Sequence, residues 1–267
     1  MDKKQPRFSF VMPTYNRSYW IAHAINSVME QTVRDWELII VDDGSTDNTE
    51  RVVKSYESPR IHYFKIPHTG HISAVRNYGN KRAVGEWIVV QDSDDMSMPD
   101  RLEHIKNCIE LYEGAQEPVD VIYHDMYVRS RDGEHGGNAE MRHIRKIGEF
   151  VKEDLLTEQY IPGQVAYKRE VILKYPYDER ITVSDDFQML IELALNDCVF
   201  RYIDRPLYEY IVLNDSVNVA GELDGRRFED TRIIVSILKE KYNIAAVGEL
   251  KKWETLTGKV LKREYVQ

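Results

Sequence analysis

The sequence predicts an α/β protein with a mainly parallel sheet flanked by helices. Three observations carry that expectation. Strand-like and helix-like segments alternate through residues 8–112. The strand-like segments are short apolar runs, as buried strands are. The segments between them repeat apolar residues at helical spacing.

Taken in order, Phe8–Pro13 is a short apolar run and reads as a buried strand. Residues 19–30 place Ile21, Ala24, Ile25, Val28 and Met29 on one helical face. Trp36–Val41 is the second strand, and Asp42-Asp43-Gly44-Ser45 closes it as a turn. Asp47-Asn48-Thr49-Glu50 has the pattern of a capping box, opening a helix through Tyr56. Ile61–Ile66 is the third strand, and a helix from Ile72 to Ala83 follows Gly70. Trp87–Gln91 is the fourth strand and ends at Asp92-Ser93-Asp94-Asp95. Pro99 suits the first turn of a helix reaching Tyr112. The second half is less regular. Val119–Val128 and Leu207–Leu213 are strand-like, and Ser184–Asn196 is a helix with Phe187, Leu190, Ile191 and Ala194 on one face. Arg129–Glu149 carries Asp132-Gly133 and Gly136-Gly137 among charges and reads as a mobile loop or loose hairpin, of the kind that closes over a bound ligand. Two helices are expected over 224–242 and 246–263.

Composition removes several classes. The chain has 267 residues, 42% hydrophobic and 30% charged, which is ordinary for a folded protein. Its longest apolar runs, such as Trp36–Val41, are far too short to span a bilayer. Two cysteines, Cys108 and Cys198, make neither a disulfide framework nor a zinc finger. A net charge of −9 argues against a nucleic-acid binder. Met1 to Pro6 leads straight into a strand and shows no signal-peptide pattern, so a cytoplasmic location is expected.

In such sheets ligands sit beyond the carboxyl ends of the strands. Thr14, Asp43 and Asp92–Asp95 all fall there, so three distant segments converge on one rim. Carboxylates crowded on the Asp92–Asp95 turn repel one another, and a shared Mg²⁺ or Mn²⁺ that also binds a diphosphate relieves this. A solvated turn with Asp95 capping the next helix is the alternative. Asp43 either accepts an N–H from a nucleobase or belongs to an ordinary Asp-Gly turn. Arg76 either faces a phosphate or makes a surface salt bridge. Ser184-Asp185-Asp186 reads as a helix cap with acids suited to the macrodipole, or as the place of a general base. His68 and His71 form no metal pattern. The tail 249–267 carries five basic and three acidic residues, with Trp253, Leu256, Val260 and Leu261 on one helical face. It reads as a membrane-surface helix or as a core-packing or dimer helix.

The order of these motifs resembles family 2 glycosyltransferases with the GT-A fold. The resemblance rests on Met12-Pro13-Thr14-Tyr15-Asn16-Arg17, Gln31-Thr32, the run Trp36–Asp47, Gly70 with Ala74-Val75-Arg76-Asn77, Gly85-Glu86-Trp87-Ile88, and Asp92-Ser93-Asp94-Asp95 with Met98-Pro99-Asp100-Arg101-Leu102. It is dense over 8–112 and thinner beyond, at Lys168-Arg169-Glu170-Val171, Asp185-Asp186-Phe187 and Pro206–Tyr210. It implies a Rossmann-like sheet with a less regular acceptor-binding C-terminal half. The implied division is a nucleotide-sugar-binding half at 1–115, an acceptor and catalytic-base half at 116–220, and a helical tail at 221–267.

The implied activity is inverting, metal-assisted transfer of a sugar from a UDP-sugar to a hydroxyl of a glycan or lipid-linked acceptor. Pro13, Thr14, Tyr15, Asn16, Asp43, Arg76, Asp92, Ser93 and Asp94 would bind the donor. Asp94 and Asp92 would hold Mn²⁺ or Mg²⁺. Asp186 would be the base, with Asp185 beside it. Peripheral contact with the inner membrane face through 249–267 is the expected association, with homo-oligomerisation left open and no nucleic acid among the partners. Tyr210-Ile211-Val212-Leu213-Asn214 lacks the Tyr-Arg-x-His that many members carry, which leaves open a binding module without turnover. A phosphoryl-accepting receiver domain would need its acid pair after the first strand, which here ends in Met12-Pro13-Thr14.

Overall fold

The computed structural model describes residues 5–131, 139–156, 159–213 and 225–244. β1 (Phe8–Thr14), β2 (Trp36–Asp42), β3 (Ile61–Lys65) and β4 (Trp87–Val90) pair in parallel in the order β3-β2-β1-β4. β1 and β2 are buried along their whole length, which explains their unbroken apolar sequence. Their side chains alternate between two cores. Phe8, Phe10 and Met12 pack with α1 (Ile21–Met29), α2 (Thr49–Lys54) and α4 (Arg101–Gly114) on one face. Val11, Ile39 and Val41 pack on the other with α3 (Ile72–Asn80), α6 (Arg169–Lys174), α7 (Asp185–Leu195) and α8 (Arg226–Tyr242).

Beyond β4 the sheet becomes mixed. β8 (Ala166–Lys168) runs antiparallel to both β4 and β6 (Val121–Arg131), and β9 (Phe200–Val212) runs parallel to β6. β5 (Met96–Ser97) pairs antiparallel with β9, which draws the Asp92–Asp95 turn against Tyr208–Ile211. The parallel expectation therefore holds for the first half. Of the two readings of Arg129–Glu149 the hairpin agrees with the described residues: β6 and β7 (Ala139–Arg145) are its antiparallel arms, and residues 132–138 lie outside the described residues. The short α5 (Lys152–Leu155) follows.

Three capping expectations are corrected. Asp47 accepts from Thr49 N and Oγ1 and from Ser18 N, while Glu50 turns away to Lys54 and Lys65, whose two ammonium groups outcompete a backbone N–H. No capping box forms. Asp95 does not cap α4; its Oδ1 accepts from Ile211 N at 2.7 Å on the neighbouring strand. Ser184 makes no side-chain cap, and its backbone N–H donates to Asp230 Oδ2. The helix expected over 224–242 is α8, whereas the one over 246–263 and the basic tail lie outside the described residues. Among the described residues no helix is long and apolar enough to cross a membrane.

Candidate active site

A cavity of about 590 Å³ opens at the carboxyl ends of the parallel strands. That is ordinary size for a small-molecule site. Pro13, Thr14, Tyr15, Asn16, Asp43, Arg76, Asp92, Ser93, Asp94, Asp185 and Asp186, all expected from the sequence, line it.

The β1 loop is tied to the β2 loop. Asn16 has a positive φ of 51°, which Asn tolerates better than most residues. That turn lets its Oδ1 accept from Thr46 N at 2.8 Å while its own N–H donates to Ser45 Oγ. Gly44 has φ 76°, and a Cβ there would lie 2.9 Å from His68 N, so only glycine fits. Asp43 is buried and accepts from Thr69 N, Thr69 Oγ1 and Gly70 N. It thus holds the β3–α3 connection over the cavity, where the His68 ring stacks on Tyr15 with centroids 4.2 Å apart.

The acidic turn is braced from several sides. Asp92 Oδ1 accepts from Arg76 Nη2 at 3.0 Å and its Oδ2 from Gln164 Nε2 at 2.7 Å. Asp94 Oδ2 meets Arg17 Nε at 3.2 Å. Burial, partly offset by Arg17 and reinforced by the Asp92 charge, pushes Asp94 up to about 6. Asp95 Oδ2 and Thr14 Oγ1 are buried without hydrogen-bond partners. Oxygen donors, mutual repulsion and an orphaned carboxylate oxygen on one turn are what a hard cation requires. Among the described residues no three His, Cys, Asp or Glu side chains form a complete metal cluster.

Arg76 joins this turn to the helix carrying the other acids. Its Nη1 donates to Asp185 Oδ2 at 2.6 Å while Nη2 holds Asp92. Burial works against its charge, but Asp185 and Asp92 outweigh that and keep it protonated. Asp186 Oδ1 accepts from Phe187 N at 2.8 Å and its Oδ2 from Gln159 Nε2 at 2.9 Å.

Sequence reasoning missed Gln159 and four further supports. Arg17 stood in a quoted motif without a role. Gln164 reaches Asp92 from β8's approach, a contact across 72 positions that no local pattern signals. Arg101 is fully buried and donates to Val90 O, Ser97 Oγ, Gln164 O and His124 Nε2. Burial pushes His124 down to about 3, so it is neutral and free to accept. Asp230 on α8 accepts from the consecutive N–H groups of Thr182, Val183 and Ser184. It fixes the loop that starts α7.

The family model for glycosyl transferase family 2 matches residues 9–175. Over 220 residues the chain is 28% identical to an uncharacterised glycosyltransferase of Methanocaldococcus jannaschii, covering 80% of this chain and 73% of that one. A Rickettsia conorii glycosyltransferase is 41% identical over 98 residues, which is 36% of this chain and only 16% of the relative. Among solved structures, S. aureus TarS 1–349 in complex with UDP-GlcNAc superposes with a TM-score of 0.68 at 20% identity, over 87% of this chain and 66% of that one. Glucosyl-3-phosphoglycerate synthase from Mycobacterium tuberculosis, in complex with Mn²⁺, UDP and phosphoglyceric acid, gives 0.58 at 18%, over 88% and 78%. The mixed sheet with its parallel core is thus the GT-A fold, and the chain belongs to glycosyl transferase family 2, a sugar-transferring enzyme.

Proposed function

We propose that the cavity takes a UDP-sugar with Mn²⁺ or Mg²⁺ and transfers the sugar, with inversion, to a hydroxyl of a glycan or lipid-linked acceptor. One observation carries the reading: a turn of oxygen donors and a separate carboxylate on a helix N-terminus line one cavity, joined by Arg76. Asp92 and Asp94 would hold the metal, and Pro13, Thr14, Tyr15, Asn16, Asp43 and Ser93 would line the nucleotide. The neighbours solved with UDP or UDP-GlcNAc support the donor class, and those solved with Mn²⁺, one of them with GDP-Man, support the cation. When bound, the cation stabilises charge on the departing diphosphate. Asp186 takes the acceptor proton, since a hydroxyl is a weak nucleophile until a base engages it. Asp185 stays on Arg76 and keeps that cation between donor loop and base. The division at 1–115, 116–220 and 221–267 is part of the same proposal, with α8 of the last segment steadying the α7 start through Asp230. Contact of the remaining tail with a membrane surface would bring the enzyme to a lipid-linked acceptor.

The direct test is thermal-shift binding of UDP with and without Mn²⁺, on wild type and Asp94→Asn. At 100 times its Kd a ligand adds about 2.7 kcal/mol. Stabilisation that needs Mn²⁺ and vanishes in Asp94→Asn is the expected result; equal shifts in both proteins would remove Asp94 from the metal site.

A pH dependence follows as well. Burial raises Asp186 above the ordinary carboxylate range, although Arg76 and the hydrogen bonds from Phe187 and Gln159 pull it back. A base acts deprotonated, so turnover falls as pH drops, and the acid limb of kcat lies above the about 3.9 of a free aspartate. A profile flat down to that value would contradict Asp186 as base.

A further inference from the structure

The segment Gln159–Gln164 was assigned no role by any sequence pattern, yet it touches both halves of the cavity. Gln159 Nε2 lies 2.9 Å from Asp186 Oδ2, and Gln164 Nε2 lies 2.7 Å from Asp92 Oδ2. Between them sits Gly163. A Cβ placed on it would lie 2.5 Å from Asp186 Oδ2, 2.7 Å from Asp186 Cβ and 3.0 Å from Asp186 Cγ. All three nearest atoms belong to one side chain. The backbone of Gly163 is not in the left-handed region, so its own conformation admits alanine. The atoms nearest to an added side chain are those of Asp186.

We infer that Gly163 is a positioning residue for the base: the space of its missing side chain is the seat of the Asp186 carboxylate, and Gln159 fixes that carboxylate's orientation. The inference rests on the reading of Asp186 as the base. Relief by movement of the segment is blocked at one end. Gln164 O accepts from the buried Arg101, and Gly163 O accepts from Val165 N at 2.9 Å. Relief by movement of Asp186 is limited too. Its Cβ, not only its carboxylate tip, is in the way, and the α7 start is held by Asp230. An added methyl group therefore swings the carboxylate out of its seat and breaks its bond to Gln159. A misplacement of about 1 Å at a reacting group costs on the order of 100-fold.

The experiment compares wild type, Gly163→Ala, Gln159→Leu, Asp186→Asn and Gly163→Ala/Asp186→Asn. It measures UDP release from a panel of UDP-sugars with Mn²⁺, water serving as acceptor. UDP–Mn²⁺ thermal shift monitors folding and the donor site, and Gly114→Ala, whose Cβ meets nothing within 4 Å, is the glycine control. The expected result is a kcat lower by roughly 10- to 100-fold in Gly163→Ala, with donor KM and the UDP shift kept. No further loss is expected when Gly163→Ala is added to Asp186→Asn. A merely structural glycine would lower the thermal midpoint and leave kcat per folded molecule alone. Wild-type kcat in Gly163→Ala beside a dead Asp186→Asn overturns the inference, as does an equal fold loss in both backgrounds. If Gly163→Ala fails to fold, Gln159→Leu decides: reduced kcat at unchanged donor KM supports the seat, and wild-type kcat overturns it. Full turnover in Asp186→Asn instead removes the base reading, and with it the reason for the seat.

Discussion

Asp186→Asn is expected to lower turnover by about 10²- to 10⁴-fold while leaving UDP binding intact. The substitution keeps the shape of the side chain and removes its capacity to take a proton. It leaves the donor loop untouched, since the two protein groups bound to Asp186, Phe187 N and Gln159 Nε2, do not touch Asp92 or Asp94. The amide also carries no charge, so the burial that disfavours the carboxylate no longer acts, and stability does not fall for that reason. The measurement is kcat for UDP release, with the UDP–Mn²⁺ thermal shift run on the same protein. Asp185→Asn is the informative comparison. Asp185 is spent on Arg76 at 2.6 Å, so its loss acts on stability and on Arg76 before it acts on chemistry. A mild effect in Asp186→Asn beside a 10²- to 10⁴-fold loss of kcat in a stably folded Asp185→Asn would reverse the two roles. Nucleotide binding without turnover in wild type, on every donor tried, would leave the binding-module reading.

The side of the cavity proposed to take the donor was legible because its residues sit where strands end. Thr14 ends β1, Asp43 follows β2 and Asp92–Asp95 lies just past β4, so the apolar runs that marked the strands also marked the rim. The proposed base was legible only as one of two readings of Ser184-Asp185-Asp186, and Asp230, which holds the backbone of that turn, lies far along the chain. The second half of the sheet was harder for a physical reason. β8 has three residues and β5 has two, too short for any period to register, and their place is set by pairing with β4, β6 and β9. Arg101 shows the same limit. In sequence it is one of many helical arginines; its burial follows from β5 and β8 closing over it, and its donors then satisfy carbonyl groups the mixed sheet would leave unpaired.

Arg76→Met is expected to destabilise the fold by roughly 3–5 kcal/mol at neutral pH, because it removes the cation from a buried bridge and leaves its partners behind. The side chains of Arg76 and Asp185 are 7% and 4% exposed, so water cannot take over the missing charge at Asp185. Asp92 is 18% exposed and contributes the smaller share. In thermal unfolding the loss corresponds to a midpoint lower by on the order of 10 °C. The sign of its pH dependence separates this cause from lost packing. Without the guanidinium, burial and the Asp186 and Asp92 charges all push Asp185 upward. The native state then holds a proton that the unfolded chain, with an aspartate near about 3.9, has released. Stability of the variant must therefore rise as pH falls through that raised value, more steeply than in wild type. Adding Asp185→Asn should recover most of the loss at neutral pH, since it removes the uncompensated charge and keeps the volume. A variant as stable as wild type at pH 7.5, or one that Asp185→Asn fails to rescue, would mean the bridge is not what holds the donor turn to the base helix. If the rescue succeeds and UDP still binds, Arg76 stabilises the fold by compensating the buried charge of Asp185, and turnover of the rescued protein measures what its link from Asp185 to Asp92 adds to the proposed chemistry.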